Sequence, residues 1–332
     1  MNEIAPLTTL KVGGPAREIL HVRTEDEFIN AVKSAGDNLL ILGGGSNVLV
    51  CDDGFSGTVI VVETHGNSYE IDACSGGTLT VAAGEDWDAL VSFTIEKGLA
   101  NLESLSGIPG KVGASPIQNI GAYGHEVSEV IARVRTFDRK EQKVRTFTAS
   151  ECGFGYRTSL FKEEAPRYVI LDVTFQLRRG EQSLPILYQE LATEFGVPMG
   201  SRVEIAKVRD AVLAIRRRKG MLLESGLRSA GSFFKNPIVD PSQLPDDAPR
   251  WPLKGSSQVK TSAAWLMERA GVSKGESHGG AAISPLHVLA LINQNDAKAS
   301  DLLELAKSAQ ERVLSKFGID LVPEVQLIGM NL

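Results

Sequence analysis

The sequence predicts an α+β fold, because helix and strand patterns are mixed along the chain and two of the strand patterns form a hairpin. The clearest strand lies between Val169 and Leu177, where five alternate positions are apolar and predict a half-buried strand. The hairpin comprises residues 130–137 and 143–147, which flank a polar turn at 138–141. This mixture favours an α+β fold over a doubly wound parallel sheet.

Helices and short strands alternate in the first third of the chain. Thr24 and Glu27 have the spacing of a capping box and predict the start of a helix, which Gly36 ends. A second helix is predicted over 86–97, with Gly98 as its stop. Apolar runs and alternation predict strands at 39–42, 48–50, 59–62 and 79–83.

Further helices and a closing strand are predicted in the second half of the chain. The helices lie near 202–219, over 261–270, and from Ser300 as the capping residue to Gly318. Proline and glycine cluster between 237 and 255, which predicts a loop or a domain edge. The last predicted element is an apolar strand at 321–328.

Composition limits the class of protein. The 332 residues suggest two or three domains, and the formal net charge of −6 argues against a dedicated nucleic-acid-binding protein. The cysteines Cys51, Cys74 and Cys152 form no C-x-x-C pair, and the histidines show no metal-ligand spacing, so we expect no metal site. The sequence shows neither a signal-peptide pattern nor an apolar run that could span a bilayer. We expect a cytoplasmic protein with no membrane partner.

The first of two glycine-rich segments runs from Gly43 to Asn47. It does not fit a Rossmann fingerprint, because Val48 stands three residues after Gly45 and a strand pattern follows. Its backbone N–H groups could still form a nest for phosphate, and Ser46 and Asn47 would add side-chain donors. An ordinary tight turn explains this loop equally well.

The second glycine-rich segment spans residues 106–124 and holds five glycines. Few of its side chains can build a core, whereas its backbone can press against a flat or phosphorylated ligand. Gln118 and Asn119 offer the amide donors and acceptors that the edge of a heteroaromatic ring requires. Because long loops in compact domains are usually functional or disordered, and this composition is not a disordered one, we predict a ligand-binding loop.

Several segments, taken together and in this order, resemble the MurB family of UDP-N-acetylenolpyruvoylglucosamine reductases. Any one of them alone would be only suggestive. They are GGGSNVL at 43–49, IPG at 108–110, QNIGAYG at 118–124, GYRTSLFK at 155–162, GSFFKNP at 231–237 and PEVQLIG at 323–329. Tyr188 resembles the tyrosine-loop residue of the type I members, which covers the bound UDP-sugar.

The resemblance implies a fold of three parts. An FAD-binding module of the PCMH (vanillyl-alcohol-oxidase-like) type would comprise a first subdomain at 1–65 and a second at 66–215. The second subdomain would take up the returning C-terminal strand at 320–332. An α+β substrate-binding domain would occupy residues 216–319, and we expect a monomer.

The resemblance also implies an activity. NADPH would reduce noncovalently bound FAD, and UDP-N-acetylglucosamine enolpyruvate would then be reduced to UDP-N-acetylmuramate in bacterial peptidoglycan precursor synthesis. His125, beside the second glycine loop, is the one tempting site for covalent flavin attachment, but the family does not use such a bond. The implied cofactor-binding residues are Gly43, Gly44, Gly45, Ser46, Asn47, Gly107, Pro109, Gly110, Ser115, Gln118, Asn119 and Gly121.

The implied catalytic residues suit this chemistry. Hydride addition to the vinyl carbon leaves negative charge on the neighbouring carbon, delocalised into the carboxylate. Arg157 would hold that carboxylate with its planar guanidinium, Ser232 would donate the proton, and Glu324 would stabilise the enol-like intermediate. Each residue alone is more often a surface ion pair, a turn serine or the wet face of a strand, and it is the ordered set of motifs that favours catalysis.

Substrate contacts are implied at Tyr123, Tyr156, Tyr188, Lys219 and Asn236. Lys219 ends a basic run, 216–219, that would ordinarily be a solvated helix face, and here matches a family lysine near the diphosphate or NADPH. Segment 220–230 departs from familiar family patterns. The alternatives are an oxidase on the same flavin scaffold, a catalytically dead nucleotide-sugar-binding protein and, least favoured, a nucleic-acid partner of the basic run.

Overall fold

The computed structural model of the chain describes residues 2–72, 74, 76–253 and 255–332. Helices predicted near 24–36, 86–97, 202–219, 261–270 and 300–318 are all confirmed within a few residues. The α-helices of the described residues are α1 (Glu25–Ser34), α2 (Trp87–Glu96), α3 (Leu160–Glu163), α4 (Gln189–Phe195), α5 (Ile205–Arg218), α6 (Ala263–Arg269) and α7 (Ala299–Phe317).

The strands mix long ladders with short pairs. In chain order they are β1 (Ala16–Val22), β2 (Leu39–Leu42), β3 (Val48–Val50), β4 (Phe55–Val62), β5 (Asn67–Asp72), β6 (Gly76–Ala82), β7 (Leu99–Ala100), β8 (Gly121–Ala122), β9 (His125–Glu126), β10 (Ile131–Asp138), β11 (Lys143–Thr148), β12 (Tyr168–Arg179), β13 (Arg228–Ser232), β14 (Ile238–Val239), β15 (Trp251–Pro252), β16 (Val259–Lys260), β17 (Ser277–His278), β18 (Ala281–Ile283), β19 (Ala290–Asn293) and β20 (Gln326–Ile328).

The first compact unit comprises Arg17–Gly44 and Ser56–Arg218. Its larger sheet has the order β11-β10-β12-β6-β5 with antiparallel neighbours, and β7 also pairs with β12. The predicted hairpin is confirmed as β10 and β11. A smaller sheet has the order β1-β4-β2, in which β2 and β4 run parallel.

The central strand β12 differs from the prediction of a half-buried strand. Residues on both of its faces are buried, as Ile170 and Val173 show. Both residues join the same hydrophobic core as Trp87, Phe137 and Phe175. Apolar and polar positions still alternate in its second half, but packing covers both faces of the strand over most of its length.

The second compact unit comprises Met1–Ala16, Gly45–Phe55 and Lys219–Leu332. Its sheets have the orders β13-β19-β18-β17 and β14-β16-β15, and β20 pairs in parallel with β3. The core of this unit lies between these strands and helices α6 and α7, and includes Phe233, Phe234, Leu266 and Leu302. The segment 237–255, predicted as a loop, thus contributes two short strands to a sheet.

We expect the closing strand to join residues 66–215, but in the structure it pairs with β3 instead. It is confined to Gln326–Ile328, and Leu327 stands opposite Leu49 of β3. The physical reason is apolar burial, because Leu49 and Val325 belong to the core of the second unit and Leu327 packs against it. The wider division into domains at residues 65 and 215 stays a prediction.

Helix α7 begins one residue before Ser300, the predicted cap. The carboxylate of Asp52 accepts hydrogen bonds from the backbone N–H of Ala299 at 2.7 Å and of Ser300 at 3.1 Å. The helix N-terminus is therefore satisfied by a side chain from a segment some 250 residues away in the chain, about which local sequence carries no signal.

Candidate active site

Two glycine loops of the first unit meet backbone to backbone. A Cβ added at Gly44 would lie 2.9 Å from the Cα of Gly110, and one added at Gly43 would lie 3.1 Å from the Cβ of Lys111. Only residues without a side chain allow the backbones to approach this closely. The structure thereby brings together Gly43, Gly44 and Gly110, three of the predicted cofactor residues.

The second loop contains a buried hydroxyl that the protein does not satisfy. Ser115 follows a short 3-10 helix, Val112–Ala114, and its backbone N–H donates to the carbonyl of Val112 at 3.0 Å. Its side chain is 1% exposed, and its Oγ has no hydrogen-bond partner in the described part of the chain. A buried polar atom of this kind marks a place where a ligand or water completes the hydrogen bonding. The glycine contact and this hydroxyl together fit a loop that cradles a cofactor; Pro109 and Gln118 lie half-buried on the same loop.

Gly107 is held from both sides by charged residues of α2 and α5. Its N–H donates to Asp88 Oδ1 at 2.6 Å, and its carbonyl accepts from Arg216 Nε at 3.1 Å. Arg209 donates two hydrogen bonds to the carboxylate of Asp88, at 2.7 and 2.8 Å. Burial acts to raise the pKa of Asp88, but the bonds from Arg209 and Gly107 outweigh it and hold that pKa below its usual range.

Arg216 is the residue that sequence reasoning misjudged. A basic run such as 216–219 ordinarily forms a solvated helix face, but Arg216 is only 8% exposed, whereas Arg217 and Arg218 are exposed. Burial lowers the pKa of its guanidinium, although the hydroxyl of Tyr123 acts in the opposite direction. A signal was present in the sequence, because Arg216 continues a four-residue spacing through the buried Val208 and Val212 on one face of α5.

Two of the predicted substrate tyrosines lie together. The rings of Tyr123 and Tyr188 are 5.3 Å apart between centroids and meet edge to face. The Tyr123 hydroxyl is hydrogen-bonded to Arg216, and burial is the main cause that raises the pKa of Tyr123 to about 12. This phenol is therefore protonated at neutral pH. Tyr188 precedes α4 as its N-cap residue, and burial raises its pKa as well.

Arg157 stands at the tip of a tight turn. Gly155 and Thr158 exchange backbone hydrogen bonds of 3.1 and 3.3 Å, and Arg157 between them has φ of +55°. Its Nη2 donates to the carbonyl of Gly121 at 2.8 Å, and its guanidinium carbon lies 5.4 Å from the ring centre of Tyr156. The structure thus brings Arg157 together with Gly121 and Tyr156, as the predicted site requires.

The side chain of Asn119 makes hydrogen bonds to three other residues of the protein. It is 1% exposed, and its amide donates to Glu126 Oε2 at 2.7 Å and to the carbonyl of Gly155 at 3.1 Å. Its Oδ1 accepts from the N–H of Ser128 at 3.0 Å. The amide therefore connects the glycine segment to the Arg157 turn, and the cofactor contact of Asn119 stays a prediction.

Ser232 and Glu324 are placed by backbone pairing in the second unit. Ser232 ends β13 after a bulge, at which Gly231 has φ of +76°. The N–H of Phe233 donates to the carbonyl of Leu289 at 2.8 Å. The carbonyl of Phe233 accepts a hydrogen bond from the N–H of Glu324 at 2.7 Å. Ser232 and Glu324 therefore lie on adjacent segments, although some 90 residues separate them in the chain.

The first glycine loop continues into the second unit and supports Glu324. Gly45 has φ of +59°, and a Cβ there would lie 2.0 Å from a backbone carbonyl. Asn47 Nδ2 donates to the carbonyl of Glu324 at 3.2 Å, and the carbonyl of Asn47 accepts from the N–H of Gln326 at 3.0 Å. Ser46 is half-buried between Gly45 and Asn47. The loop residue predicted to contact a cofactor thus also fastens a predicted catalytic residue.

The remaining predicted contacts are Asn236 and Lys219, both in the second unit. Asn236 Oδ1 accepts from the N–H of Ala263 at 3.0 Å at the start of α6. Lys219 is half-buried and directly follows α5. The predicted residues therefore fall into two groups. Arg157 and the tyrosines belong to the first unit, whereas Ser232, Glu324, Asn236 and Lys219 belong to the second.

Other types of site find no support in the described residues. Across 2–72, 74, 76–253 and 255–332, no three His, Cys, Asp or Glu side chains come together in a way that could hold a metal ion. Cys51, Cys74 and Cys152 are free thiols. No helix in these same ranges is long and apolar enough to cross a membrane.

The chain is similar to known proteins along most of its length. Residues 16–147 match the family model of an FAD-binding domain, and residues 223–328 match that of the C-terminal domain of UDP-N-acetylenolpyruvoylglucosamine reductase. The UDP-N-acetylenolpyruvoylglucosamine reductase of Cutibacterium acnes is 51% identical over 99% of this chain and 90% of its own length. That of Thermobifida fusca is 46% identical over 99% of this chain and 97% of its own length.

A solved structure extends the likeness to the fold. The crystal structure of UDP-N-acetylenolpyruvylglucosamine reductase (MurB) from Thermus caldophilus covers 98% of this chain with 97% of its own, at a TM-score of 0.71 and 27% identity. The α+β architecture with an FAD-binding module is thereby confirmed. Since these two relatives are 51% and 46% identical over 99% of the chain, this protein belongs to the UDP-N-acetylenolpyruvoylglucosamine reductase family.

Proposed function

We propose that the chain is an FAD-dependent oxidoreductase that uses NADPH to reduce UDP-N-acetylglucosamine enolpyruvate to UDP-N-acetylmuramate, in peptidoglycan precursor synthesis. The observation that carries the proposal is the 51% identity to a reductase of this name over 99% of the chain. The match of residues 16–147 to an FAD-binding domain supports the cofactor.

The residues at the glycine loops fit FAD. Gly44 and Gly110 let the two loops pack backbone against backbone, and the unsatisfied Ser115 hydroxyl offers a donor for a ligand. When bound, FAD supplies two-electron hydride transfer from NADPH to the sugar substrate. We propose that it is bound noncovalently, because both ring nitrogens of His125 already have hydrogen-bond partners.

Arg157 is proposed to bind the substrate carboxylate. Its backbone turn and its bond to the Gly121 carbonyl fix where the guanidinium lies. A guanidinium holds a carboxylate in a planar, bidentate pair and stays charged at any working pH. When hydride reaches the vinyl carbon, negative charge spreads into that carboxylate, so the same contact is stronger in the transition state than in the ground state.

Ser232 and Glu324 are proposed to handle the proton and the enol-like charge. The Ser232 hydroxyl gives its proton to the carbon that becomes C2 of the lactyl ether, and the adjacent Glu324 stabilises the charge that precedes this transfer. Their placement by paired backbone segments supports the assignment, because it brings the main chains of the two residues close together.

Tyr123, Tyr156, Tyr188, Lys219 and Asn236 are proposed to bind the UDP-sugar. The Tyr123 phenol, with its pKa raised to about 12, is a neutral donor at working pH, and Lys219 supplies positive charge for the diphosphate. The domain boundaries that we propose are those implied by the family resemblance: FAD-binding subdomains at 1–65 and 66–215, and a substrate-binding domain at 216–319. We further propose a monomer in the bacterial cytoplasm, where UDP-sugars and NADPH are available. Light scattering after size exclusion tests the monomer.

An anaerobic absorbance titration tests the function. Purified protein should show a flavin spectrum that bleaches with NADPH and returns when UDP-N-acetylglucosamine enolpyruvate is added. Bleaching without return would favour an oxidase or reductase with another substrate on the same scaffold. A protein that binds no FAD after reconstitution would contradict our interpretation of both glycine loops.

A further inference from the structure

His125 is a buried titratable group that the proposed reaction does not use. It lies in β9 with 5% of its surface exposed. Its Nδ1 is 3.0 Å from Glu129 Oε2, and its Nε2 is 2.9 Å from the carbonyl oxygen of Pro185. A carboxylate and a carbonyl are both acceptors, so each ring nitrogen must carry a proton to make its bond. The geometry therefore favours an imidazolium beside an ionised Glu129.

The charges around the ring favour that form. Glu129 faces it from the short 3-10 helix Val127–Glu129 that follows β9, and the fully buried Glu103 faces it from the segment before the glycine loop. Burial acts to lower the pKa of His125, but Glu129, the Pro185 carbonyl and Glu103 outweigh it and raise that pKa above 6.5. Burial also acts to raise the pKa of Glu129, and its bonds from His125 and the Glu126 N–H hold it below its usual range instead.

The bond from His125 Nε2 to the Pro185 carbonyl joins the two segments that carry the tyrosines, whereas the bond to Glu129 is local. Tyr123 lies two residues before His125 in the same hairpin, and Tyr188 lies three residues after Pro185. The neighbouring Leu184 N–H donates to Glu103 Oε1 at 2.9 Å. The hairpin and this segment (residues 184–188) pack without spare room, because a Cβ added at Gly124 would lie 2.7 Å from the Cβ of Leu187.

We propose that His125 is a positioning residue whose imidazolium fastens the Tyr188 segment to the Tyr123 hairpin, so that both phenols stay in register for the UDP-sugar. The proposal rests on the proposed function for the substrate that the tyrosines meet. Because the folded-state pKa of His125 is raised, the fastening is fully present below about pH 6.5. It is lost as the pH rises through the raised value, when Nδ1 or Nε2 gives up its proton.

Three variants of the holoenzyme test this proposal. His125→Gln removes the double donor, since a glutamine amide cannot reach two acceptors on opposite sides. Glu129→Gln keeps the ring but removes the charge that holds its proton. His21→Gln is the matched control, because His21 Nδ1 also lies 2.8 Å from a carboxylate, that of Glu63, but on an exposed site of the same unit.

Readouts without substrate come first. Nitrogen-15 spectra of the imidazoles, assigned with His125→Gln, should show both nitrogens of His125 protonated at pH 6.5 and its titration moved to lower pH in Glu129→Gln. Amide exchange at Leu184 and Ile186 should quicken about tenfold in His125→Gln, the effect of one net hydrogen bond, and not in His21→Gln. A neutral ring at pH 6.5, or unchanged exchange, would overturn the proposal.

Kinetics then test the link to substrate. KM for the enolpyruvyl sugar should rise about tenfold in His125→Gln with a smaller change in kcat, and the alkaline rise in KM should begin at lower pH in Glu129→Gln. An unchanged KM and pH profile in both variants would overturn the positioning role, even if the ring is charged. If the parental protein has no reductase activity, the proposed function is wrong. The protonation of His125 and the amide exchange would still test the positioning role, because neither measurement needs the reaction.

Discussion

The two groups of candidate residues are held in place by different means. In the loop region (residues 107–129 and 155–158), side chains are oriented by bonds to backbone and to one another, as with Arg157 on the Gly121 carbonyl and Asn119 on Gly155. In the strand-edge region (residues 228–236 and 322–328), Ser232 and Glu324 are set by main-chain pairing between distant segments.

The backbone conformations follow the same division. In the loop region Asn119, Tyr123 and Arg157 have φ of 46°, 52° and 55°, in the left-handed region that costs a residue with a side chain about 1–2 kcal/mol. In the strand-edge region the positive φ falls on Gly231, where it costs little. The loop region therefore stores strain that a dense set of hydrogen bonds must offset, and we expect it to tolerate side-chain changes less well.

The largest effect is expected from Arg157→Lys. Lysine keeps the charge but loses the planar pair of donors and the bond to the Gly121 carbonyl. We expect kcat/KM for the enolpyruvyl sugar to fall by about 10²–10³ in steady-state assays, with folding unchanged by circular dichroism. Arg145→Lys, on the exposed strand β11, is the control and should keep full activity. Equal activity in the two variants would remove Arg157 from the proposed mechanism.

A matched pair of asparagines compares the two regions directly. Asn119→Ala removes two donated bonds and one accepted bond in a buried position, so we expect the free energy of unfolding to fall by about 2–4 kcal/mol. Asn47→Ala removes the bond to the Glu324 carbonyl but leaves the backbone pairing of β3 and β20, so about 1 kcal/mol is expected. Denaturant unfolding of both variants measures the difference. A larger loss in Asn47→Ala would reverse the comparison.

The smallest effect concerns the long-range cap of α7. Asp52→Asn weakens the charged acceptor at the helix N-terminus and should lower the free energy of unfolding by about 1 kcal/mol. Ser300→Ala should leave stability nearly unchanged, because the residue contributes only its backbone N–H to the cap. Thermal unfolding distinguishes the two. A greater loss in Ser300→Ala would restore the local cap that the sequence suggested.

Sequence reasoning succeeded where the signal is local. Helix α2 and the β10–β11 hairpin each depend on residues close in sequence. It failed where a segment distant in the sequence determines a helix cap or a strand pairing. The cap of α7 comes from Asp52, β20 pairs with β3 rather than within residues 66–215, and short strands form in the Pro- and Gly-rich stretch only because β16 offers a partner.

Side-chain roles show the same limit. The motif identified Asn119, but it gave no indication that the side-chain amide forms hydrogen bonds with Glu126, Gly155 and Ser128. Arg216 belongs to a basic run that suggests exposure, although its spacing from Val208 and Val212 places it on the buried face of α5. Charge alone suggests exposure, and only the helical period reveals which charge is turned inward.

In the proposed reaction Ser232 acts on the sugar substrate, whereas the glycine loops bind the cofactor. Anaerobic stopped-flow absorbance of Ser232→Ala tests it most directly, with Ser242→Ala, an exposed serine of the same unit, as the control. We predict that NADPH bleaches the flavin at the parental rate, while its return with the enolpyruvyl sugar slows by about 10²–10⁴. Equal slowing of both phases, or of neither, would contradict the assignment.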